Sequence, residues 1–194
     1  DTRGRREAEG HVDETLREVL GKPDEGRGTS IVYAPTRKRT EEEGKRLVTA
    51  GWRVAAYHAA IDGEERERTQ MAFAAGELEI VVATNAFGMG IDRPDVRCVI
   101  HLAPPDSIEA YYQEAGRAGR DGEPATAWMA YGLQDVVKLR QLLASSESNE
   151  EHKRAERLRL DALLGLCEIT TCRRHALLRY FGQGSAERCD NCDN

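Results

Sequence analysis

The sequence predicts an α/β fold, in which a mostly parallel β-sheet carries helices on both faces and a small helical subdomain follows. Two observations predict it. Short apolar runs alternate with helical stretches of about 10–13 residues along the first part of the chain, which is typical of βαβ units with strands buried on both sides. After Leu133 there are no strand-like runs, and only helical periodicity continues.

The individual elements follow from local patterns. Apolar residues recur at the spacing of one helix face over 12–20, which predicts a short surface helix. Five β-favouring runs predict strands at residues 30–34, 54–58, 80–84, 98–102 and 126–131. Helical patterns predict helices at residues 41–50, 63–75, 107–118, 133–143, 151–168 and 172–181. Thr40 and Asp62 each precede a Glu by three residues, so we expect them to cap the first two of these helices.

The composition excludes several classes of protein. With 40% apolar and 32% charged residues the chain is too apolar for a disordered protein, and no run approaches the roughly 18 apolar residues of a membrane span. A net charge of −6 excludes a uniformly basic nucleic-acid-binding surface, so any phosphate contact must be local. Five cysteines without a signal-like N-terminus predict a cytoplasmic protein with no membrane partner, in which clustered cysteines hold metal.

The change of pattern near Gly132 predicts two domains, an α/β domain at residues 1–132 and a helical one at residues 133–194. The chain opens at Asp1 rather than Met and stops two residues after Cys192. We therefore expect it to be a segment of a longer polypeptide.

One segment, residues 113–120, reads Gln-Glu-Ala-Gly-Arg-Ala-Gly-Arg. A continuous helix would carry Gln113, Arg117 and Arg120 on one face. Two guanidiniums without a carboxylate between them favour an anion, because their forks match phosphate oxygens. The alternative is a solvated helix face, but Gly116 and Gly119, which allow close approach, and the position after a strand favour phosphate binding.

The loop after the third predicted strand carries a hydroxyl, an amide, two glycines and a carboxylate, including Thr84, Asn85, Gly90 and Asp92. Its backbone N–H groups and the Thr84 hydroxyl can bind nucleic-acid phosphate without sequence preference, and Asp92 can accept from a ribose hydroxyl. A dinucleotide-binding loop is excluded, because Gly88-Met89-Gly90 is not followed by two residues and a further glycine.

Two other strand ends carry candidate residues. Thr36 and Arg37 follow the first strand, where a helix N-terminus and a cation can hold one phosphate. The alternative is ordinary surface charge that faces the acidic residues 41–43. His58 ends the second strand, and a single histidine there can be either structural or functional.

In this order and spacing, these blocks closely resemble the second RecA-like lobe of the RecQ family of DNA helicases, a branch of helicase superfamily 2. The resemblance covers residues 30–194. Residues 113–120, with Tyr111-Tyr112 before them and Asp121-Gly122 after them, resemble motif VI. Residues 83–92 resemble motif V, and residues 31–37 resemble motif IV. Gly-Arg-x-Gly-Arg alone would admit any superfamily 2 helicase, whereas its combination with Ala-Phe-Gly-Met-Gly-Ile is specific.

The resemblance implies the second motor lobe of an ATP-dependent 3′–5′ DNA helicase for DNA repair and recombination. ATP and Mg²⁺ would be shared with an upstream RecA-like lobe of the same polypeptide, with Gly90, Asp92, Arg117 and Arg120 at the nucleotide. Arg120 would be the arginine finger on the γ-phosphate, and Gln113 would help to sense that phosphate. Single-stranded and partly duplex DNA would run over Arg37, His58, Thr84 and Asn85.

The sequence lacks two motifs that a complete helicase motor needs. The pairs Gly21-Lys22 and Gly44-Lys45 have Leu16 and Arg39 where a phosphate-binding P-loop has its first glycine. An Asp-Glu-x-His sequence for magnesium is absent as well. We therefore expect the chain alone neither to hydrolyse ATP nor to unwind DNA.

The cysteines near the C-terminus predict a metal site. Cys189 and Cys192 have the spacing of a metal knuckle, and Cys172 begins a helical stretch upstream. Three thiolates can bind Zn²⁺, but a structural site takes four ligands. The resemblance implies a further cysteine three residues beyond Cys192, and His175, Asp193 or water are the alternatives.

Two rival functions remain. The chain could be a lobe of another superfamily 2 translocase or RNA helicase, although the cysteine module argues against this. It could also be a non-catalytic, zinc-stapled DNA-binding module, which would leave the arginines of residues 113–120 without a purpose. The pair Arg173-Arg174 can contact the DNA backbone or lie on a solvated face. In a bacterium, we expect the protein in the cytoplasm, associated with the nucleoid.

Overall fold

The computed structural model describes residues 2–87, 93–146, 148–184 and 187–194. Its strands are β1 (Thr29–Tyr33), β2 (Val54–Tyr57), β3 (Ile80–Ala83), β4 (Val96–His101) and β5 (Thr126–Met129). Its helices are α1 (Thr2–Leu20), α2 (Arg37–Thr49), α3 (Gly63–Ala75), α4 (Ile108–Ala115), α5 (Leu133–Ser145), α6 (Glu150–Glu168) and α7 (Arg173–Tyr180).

The five strands form one parallel sheet in the order β2-β3-β1-β4-β5. The helices α2, α3 and α4 connect β1 to β2, β2 to β3 and β4 to β5, as crossovers between parallel strands require. The predicted α/β class is therefore confirmed, with a parallel sheet and a small helical part after it.

Helices cover both faces of the sheet. On one face, apolar residues of α1 and α2, such as Leu16 and Leu47, pack against Val32 and Ile100. On the other face, Phe73 of α3 and Phe87 pack against alternate residues of the same strands, including Ile31 and Val81 and Val99. Because both faces are covered, the strands read as continuous apolar runs.

Two helices begin earlier than predicted. α1 starts at Thr2, because its polar first half is held by ion pairs from Arg5 to Glu9 and Glu42, which hydrophobic periodicity does not register. α2 starts at Arg37, and its N-cap is Thr36, whose hydroxyl accepts from the Arg39 N–H. The predicted cap at Thr40 is wrong. Thr40 is buried within the helix, and its hydroxyl donates to the Thr36 carbonyl.

The structure divides into two compact units. The first consists of Asp1–Ala103 and Tyr112–Ala130, and the second of Pro104–Tyr111 and Tyr131–Asn194. The second unit is built on apolar contacts of Ile108, Leu163 and Leu166, and of Val136 with Leu160. The division at residue 132 drawn from the sequence stays a prediction. Among the described residues, no helix has the length and apolarity to span a bilayer.

Candidate functional site

The carboxyl end of the sheet is an even edge, because the last residues of the five strands lie side by side. The register pairs Tyr57 with Ala83, Ala83 with Tyr33, Tyr33 with His101 and His101 with Met129. In parallel α/β sheets, ligands bind beyond this edge. The predicted nucleic-acid-binding residues follow β1, β2 or β3 within four residues, so they lie near this same edge.

These predicted residues differ in accessibility. Arg37 and Asn85 are exposed and Thr84 is half-buried, with its N–H donating to the Tyr57 carbonyl. His58 is 4% exposed, and its Nε2 lies 3.2 Å from Glu41 Oε1. This burial favours the structural alternative for His58, whereas the other three side chains are available to a ligand.

The arginine segment does not continue as one helix, so the predicted single face of Gln113, Arg117 and Arg120 is wrong. α4 ends at Ala115. The N–H groups of Arg117 and Ala118 donate three residues back, which tightens the chain into turns. The N–H of Gly119 then donates to the carbonyl of Val96 in β4 at 2.9 Å, with Gly119 in the left-handed conformation at φ 65°.

Arg117 lies close to the hydroxyl of Tyr33, at the end of β1. Burial raises the pKa of Tyr33 to about 12, and the nearby positive charge of Arg117 opposes that rise. The Tyr33 hydroxyl donates to the carbonyl of Phe87 at 3.2 Å. Tyr33 therefore connects the end of β1, the arginine segment and the start of the loop after β3.

A buried pair anchors the beginning of the arginine segment. Nε2 of His101, at the end of β4, lies 2.8 Å from Oε2 of Glu114, and both residues are buried. The His101 ring also stacks on Tyr33, with 5.2 Å between the ring centroids. Glu114 and Gly119 thus hold the segment at the two ends of β4.

Gln113, Gly116 and Arg120 are the exposed residues of the segment. Arg120 Nε donates to the Gly116 carbonyl at 3.4 Å. The next residue, Asp121, is ion-paired with Arg97 near the start of β4. Arg120 is therefore held between two anchored residues, closer to the amino end of β4 than the sequence suggested.

Gly90 and Asp92, predicted to face the nucleotide, lie outside the described residues. The described residues on either side are both firmly held. Phe87 is 1% exposed and packs edge-on against Tyr57 and Phe73. On the other side, Arg93 is bound to Asp95 and to the carbonyls of Phe73 and Ala74 at the end of α3.

Sequence reasoning missed the supporting residues Tyr33, His101, Glu114 and Arg93. Each acts through a contact with a residue distant in the chain, so periodicity gives no signal for it. The sequence did contain a signal for Tyr33 and His101, because each places a polar side-chain atom at the last position of a buried strand, where that atom requires a hydrogen-bond partner.

Three cysteines come together in the second unit. The sulfur atoms of Cys172, Cys189 and Cys192 all lie within 4.8 Å of one another, and Cys172 and Cys192 are 3.8 Å apart. Sulfur atoms about 2.3 Å from a zinc ion at the corners of a tetrahedron are separated by about 3.8 Å. The three residues therefore fit three corners of a zinc site.

The N-terminus of α7 faces these sulfur atoms. Cys172 is the N-cap, and its sulfur accepts from the N–H of His175. The backbone N–H groups of Asn194 and Arg173 lower the pKa of Cys192 to about 7. Both contacts favour thiolates, the form that binds metal.

His175 and Asp193 are the two alternatives for the fourth ligand within the chain. Among the described residues, neither belongs to the group of metal-binding side chains that the three cysteines form. Asp193 is bound instead to Arg173, with Oδ1 2.7 Å from Nε, and that guanidinium lowers the pKa of the Asp193 carboxyl. Arg173 is thereby engaged within the second unit, unlike Arg174, which is exposed.

Two family models match the chain. The family described as helicase conserved C-terminal domain matches residues 11–122, and the family described as RecQ zinc-binding matches residues 133–194. The first match covers the sheet and the arginine segment, and the second covers the three cysteines.

Relatives and solved structures agree with these matches. The chain is 40% identical to the ATP-dependent DNA helicase RecQ of Pasteurella multocida over 94% of its own length and 28% of that protein. It is also 40% identical to the putative ATP-dependent RNA helicase R290 of Acanthamoeba polyphaga mimivirus, over 84% of its own length and 30% of that protein. The chain thus spans less than a third of these relatives.

The fold is similar to that of a DEAD box protein from the hyperthermophile Methanococcus jannaschii. The TM-score is 0.57 at 24% identity, over 75% of this chain and 38% of the other. This likeness concerns the fold, and the family follows from the matched domains in sequence. The chain belongs to the RecQ helicase family, as a helicase C-terminal lobe followed by a RecQ zinc-binding domain.

Proposed function

We propose that the chain is the second motor lobe of a 3′–5′ DNA helicase that serves DNA repair and recombination. The observation that carries the proposal is the arginine segment, which the His101–Glu114 pair and the Gly119–Val96 hydrogen bond hold against β4 while Arg120 stays exposed. A fixed, exposed guanidinium suits an anion that another lobe delivers.

In this proposal Arg120 is the arginine finger on the γ-phosphate of ATP. Its charge meets the negative charge that develops during phosphoryl transfer, an effect worth about 10³–10⁵ in rate. Arg117 lies beside it and is oriented by Tyr33. Gln113, Gly90 and Asp92 complete the proposed nucleotide contacts, and Mg²⁺ would be bound with the phosphates.

An upstream RecA-like lobe of the same polypeptide would supply the nucleotide cradle. The sequence of this chain contains no P-loop and no Asp-Glu-x-His motif. The chain alone is therefore expected to be inactive, and its arginines act only when the other lobe presents ATP.

Single-stranded and partly duplex DNA would cross the carboxyl edge of the sheet. Arg37 offers a cation, and Thr84 and Asn85 offer a hydroxyl and an amide to phosphate oxygens. Such contacts read no base sequence, so binding should weaken as salt increases and should be insensitive to sequence. His58 would support this edge from its buried position.

The second unit would hold a structural Zn²⁺ through Cys172, Cys189 and Cys192 and a fourth ligand. When bound, zinc crosslinks the N-terminus of α7 to the C-terminal tail, and that tail has no helix or strand among its described residues 187–194. The cytoplasm, with a nucleoid association in a bacterium, is the compartment we propose.

The test is to express the chain alone and joined to the lobe encoded before it, and to measure ATP hydrolysis with and without DNA. We expect DNA-stimulated hydrolysis only from the joined protein. ATP hydrolysis by the chain alone would refute the claim that an upstream lobe supplies the nucleotide-binding motifs. The absence of hydrolysis by a folded joined protein would refute the claim that the chain is a helicase motor lobe. Comparison of DNA with RNA duplexes decides between a DNA helicase and the RNA helicase that the mimivirus relative's name suggests.

A further inference from the structure

One arginine, Arg173, joins three parts of the second unit. Its Nη1 donates to the carbonyl oxygens of Leu166 and Cys167, at 2.6 and 2.9 Å, near the end of α6. Its Nε donates to Asp193 Oδ1 at 2.7 Å. A single planar guanidinium thus connects α6, the first residue of α7 and the C-terminal tail.

Both ends of this connection lie next to a candidate metal ligand. Cys172 immediately precedes Arg173, and Cys192 immediately precedes Asp193. The two cysteines are 20 residues apart in the chain, yet their sulfur atoms are 3.8 Å apart. Bringing such distant residues together costs conformational entropy, and the ion pair offsets part of that cost before a metal binds.

The contacts with α6 fix where this ion pair sits. The last carbonyls of a helix lack partners within the helix, and a cation is favourable there. Asn194 adds a second tie, because its side-chain N–H group donates to the carbonyls of Ile169 and Thr171, both at 2.8 Å. The tail is thus tied at Asn194 to the segment that follows α6 and at Asp193 to the first residue of α7.

We propose that Arg173, together with Asp193, is a positioning residue of the zinc site that presents Cys172 and Cys192 at metal-binding distance. The inference rests on the zinc site proposed above. It also assigns Arg173 a role other than contact with the DNA backbone. Residues that orient metal ligands typically change metal affinity by about 10–100-fold when they are removed.

The chain offers a matched control in the neighbouring arginine. We would measure the Zn²⁺ Kd of the whole 194-residue chain by competition with a chelator, for Arg173→Ala and for the exposed Arg174→Ala. We expect Arg173→Ala to raise the Kd about 10–100-fold and Arg174→Ala to leave it unchanged. Arg173→Lys keeps the positive charge but loses the planar guanidinium with its several N–H donors, so its Zn²⁺ Kd should lie between those of Arg173→Ala and Arg174→Ala.

A spectroscopic measurement separates positioning from stability alone. Co²⁺ would replace Zn²⁺, and its thiolate charge-transfer absorption would report whether all three sulfur atoms are bound. At saturating Co²⁺ we expect a weaker or shifted band for Arg173→Ala, with the helical circular dichroism of the metal-free chain unchanged. Asp193→Asn should change the Co²⁺ band in the same way but less, because the hydrogen bonds from Arg173 to α6 remain. The control Asp190→Asn should leave the band unchanged.

Equal Kd values and equal Co²⁺ spectra for the Arg173 and Arg174 variants would overturn the positioning role while leaving the zinc site intact. Loss of helical signal in metal-free Arg173→Ala, with an unchanged Co²⁺ spectrum at saturation, would overturn it in favour of a purely structural role. No Zn²⁺ binding by the unaltered chain would overturn the zinc proposal together with this inference.

Discussion

The turn that carries Arg120 gives the sharpest test of the arginine segment. Gly119 has φ 65°, and a Cβ added to it would lie 2.9 Å from the Glu123 carbonyl oxygen and 3.1 Å from the Ala125 Cβ. An alanine in the left-handed conformation costs about 1–2 kcal/mol. Crowding by an extra methyl group costs about 1–3 kcal/mol more. Gly119→Ala should therefore lower the free energy of unfolding by about 2–5 kcal/mol.

Two other glycines separate these contributions. Gly122 has φ 84° with nothing within 4 Å of an added Cβ, so Gly122→Ala should cost only the strain, about 1–2 kcal/mol. Gly63, the first residue of α3, has neither strain nor a close neighbour, so Gly63→Ala should be neutral or stabilising by up to about 1 kcal/mol.

The assay is urea unfolding followed by tryptophan fluorescence. Both tryptophans, Trp52 and Trp128, lie in the first unit and report the sheet that Gly119 contacts. Equal decreases in the free energy of unfolding in Gly119→Ala and Gly122→Ala would contradict the close packing of the turn around Gly119. A gain of stability in Gly119→Ala would contradict its left-handed conformation and, with it, the way Arg120 is held.

Three further predictions concern the supporting contacts. Because burial raises the pKa of Tyr33 to about 12, only the unfolded chain ionises this tyrosine just above pH 10. The free energy of unfolding should therefore fall by up to about 3 kcal/mol between pH 10 and 12, and the fall should be smaller in Tyr33→Phe, as urea unfolding at each pH would show. An equal fall in both proteins would exclude Tyr33 as its source. Glu114→Ala removes the carboxylate 2.8 Å from buried His101 and should cost about 1–3 kcal/mol by the same assay, whereas no loss would mean that the pair does not anchor the segment. Removal of zinc by a chelator should make the tail sensitive to protease and leave the fluorescence-detected unfolding of the sheet unit unchanged; a shift of that transition would contradict a local role for the metal.

The strands could be predicted to within about two residues, because each is a short β-favouring run, and the central strands β1, β3 and β4 are almost fully buried. The polar start of α1 could not, since ion pairs with α2 hold it and leave no apolar pattern. The predicted N-cap of α2 was wrong as well. Thr36 and Thr40 are both plausible caps by residue type, and only the buried position of Thr40 decides between them.

The candidate site was foreseeable where its residues are close in sequence. The spacing of Cys189 and Cys192 and the run of arginines and glycines both point to chemistry without a structure. The end of α4 was not foreseeable, because the hydrogen bond from Gly119 to Val96 crosses 23 residues of chain and interrupts a pattern that helical periodicity extends. The ion pair between Arg173 and Asp193 could not be predicted either, because it too joins residues that are distant in the chain.

The central claim is that Arg120 stabilises the transition state of ATP hydrolysis. The most direct measurement is the turnover of ATP by Arg120→Ala in the protein that joins this chain to its upstream lobe, with the ATP Kd measured on the same sample and the surface variant Arg140→Ala as control. We expect the turnover of Arg120→Ala to be lower by about 10³-fold or more, with ATP binding retained, and the turnover of Arg140→Ala to be unchanged. Turnover of Arg120→Ala within a few-fold of the unaltered protein would contradict it.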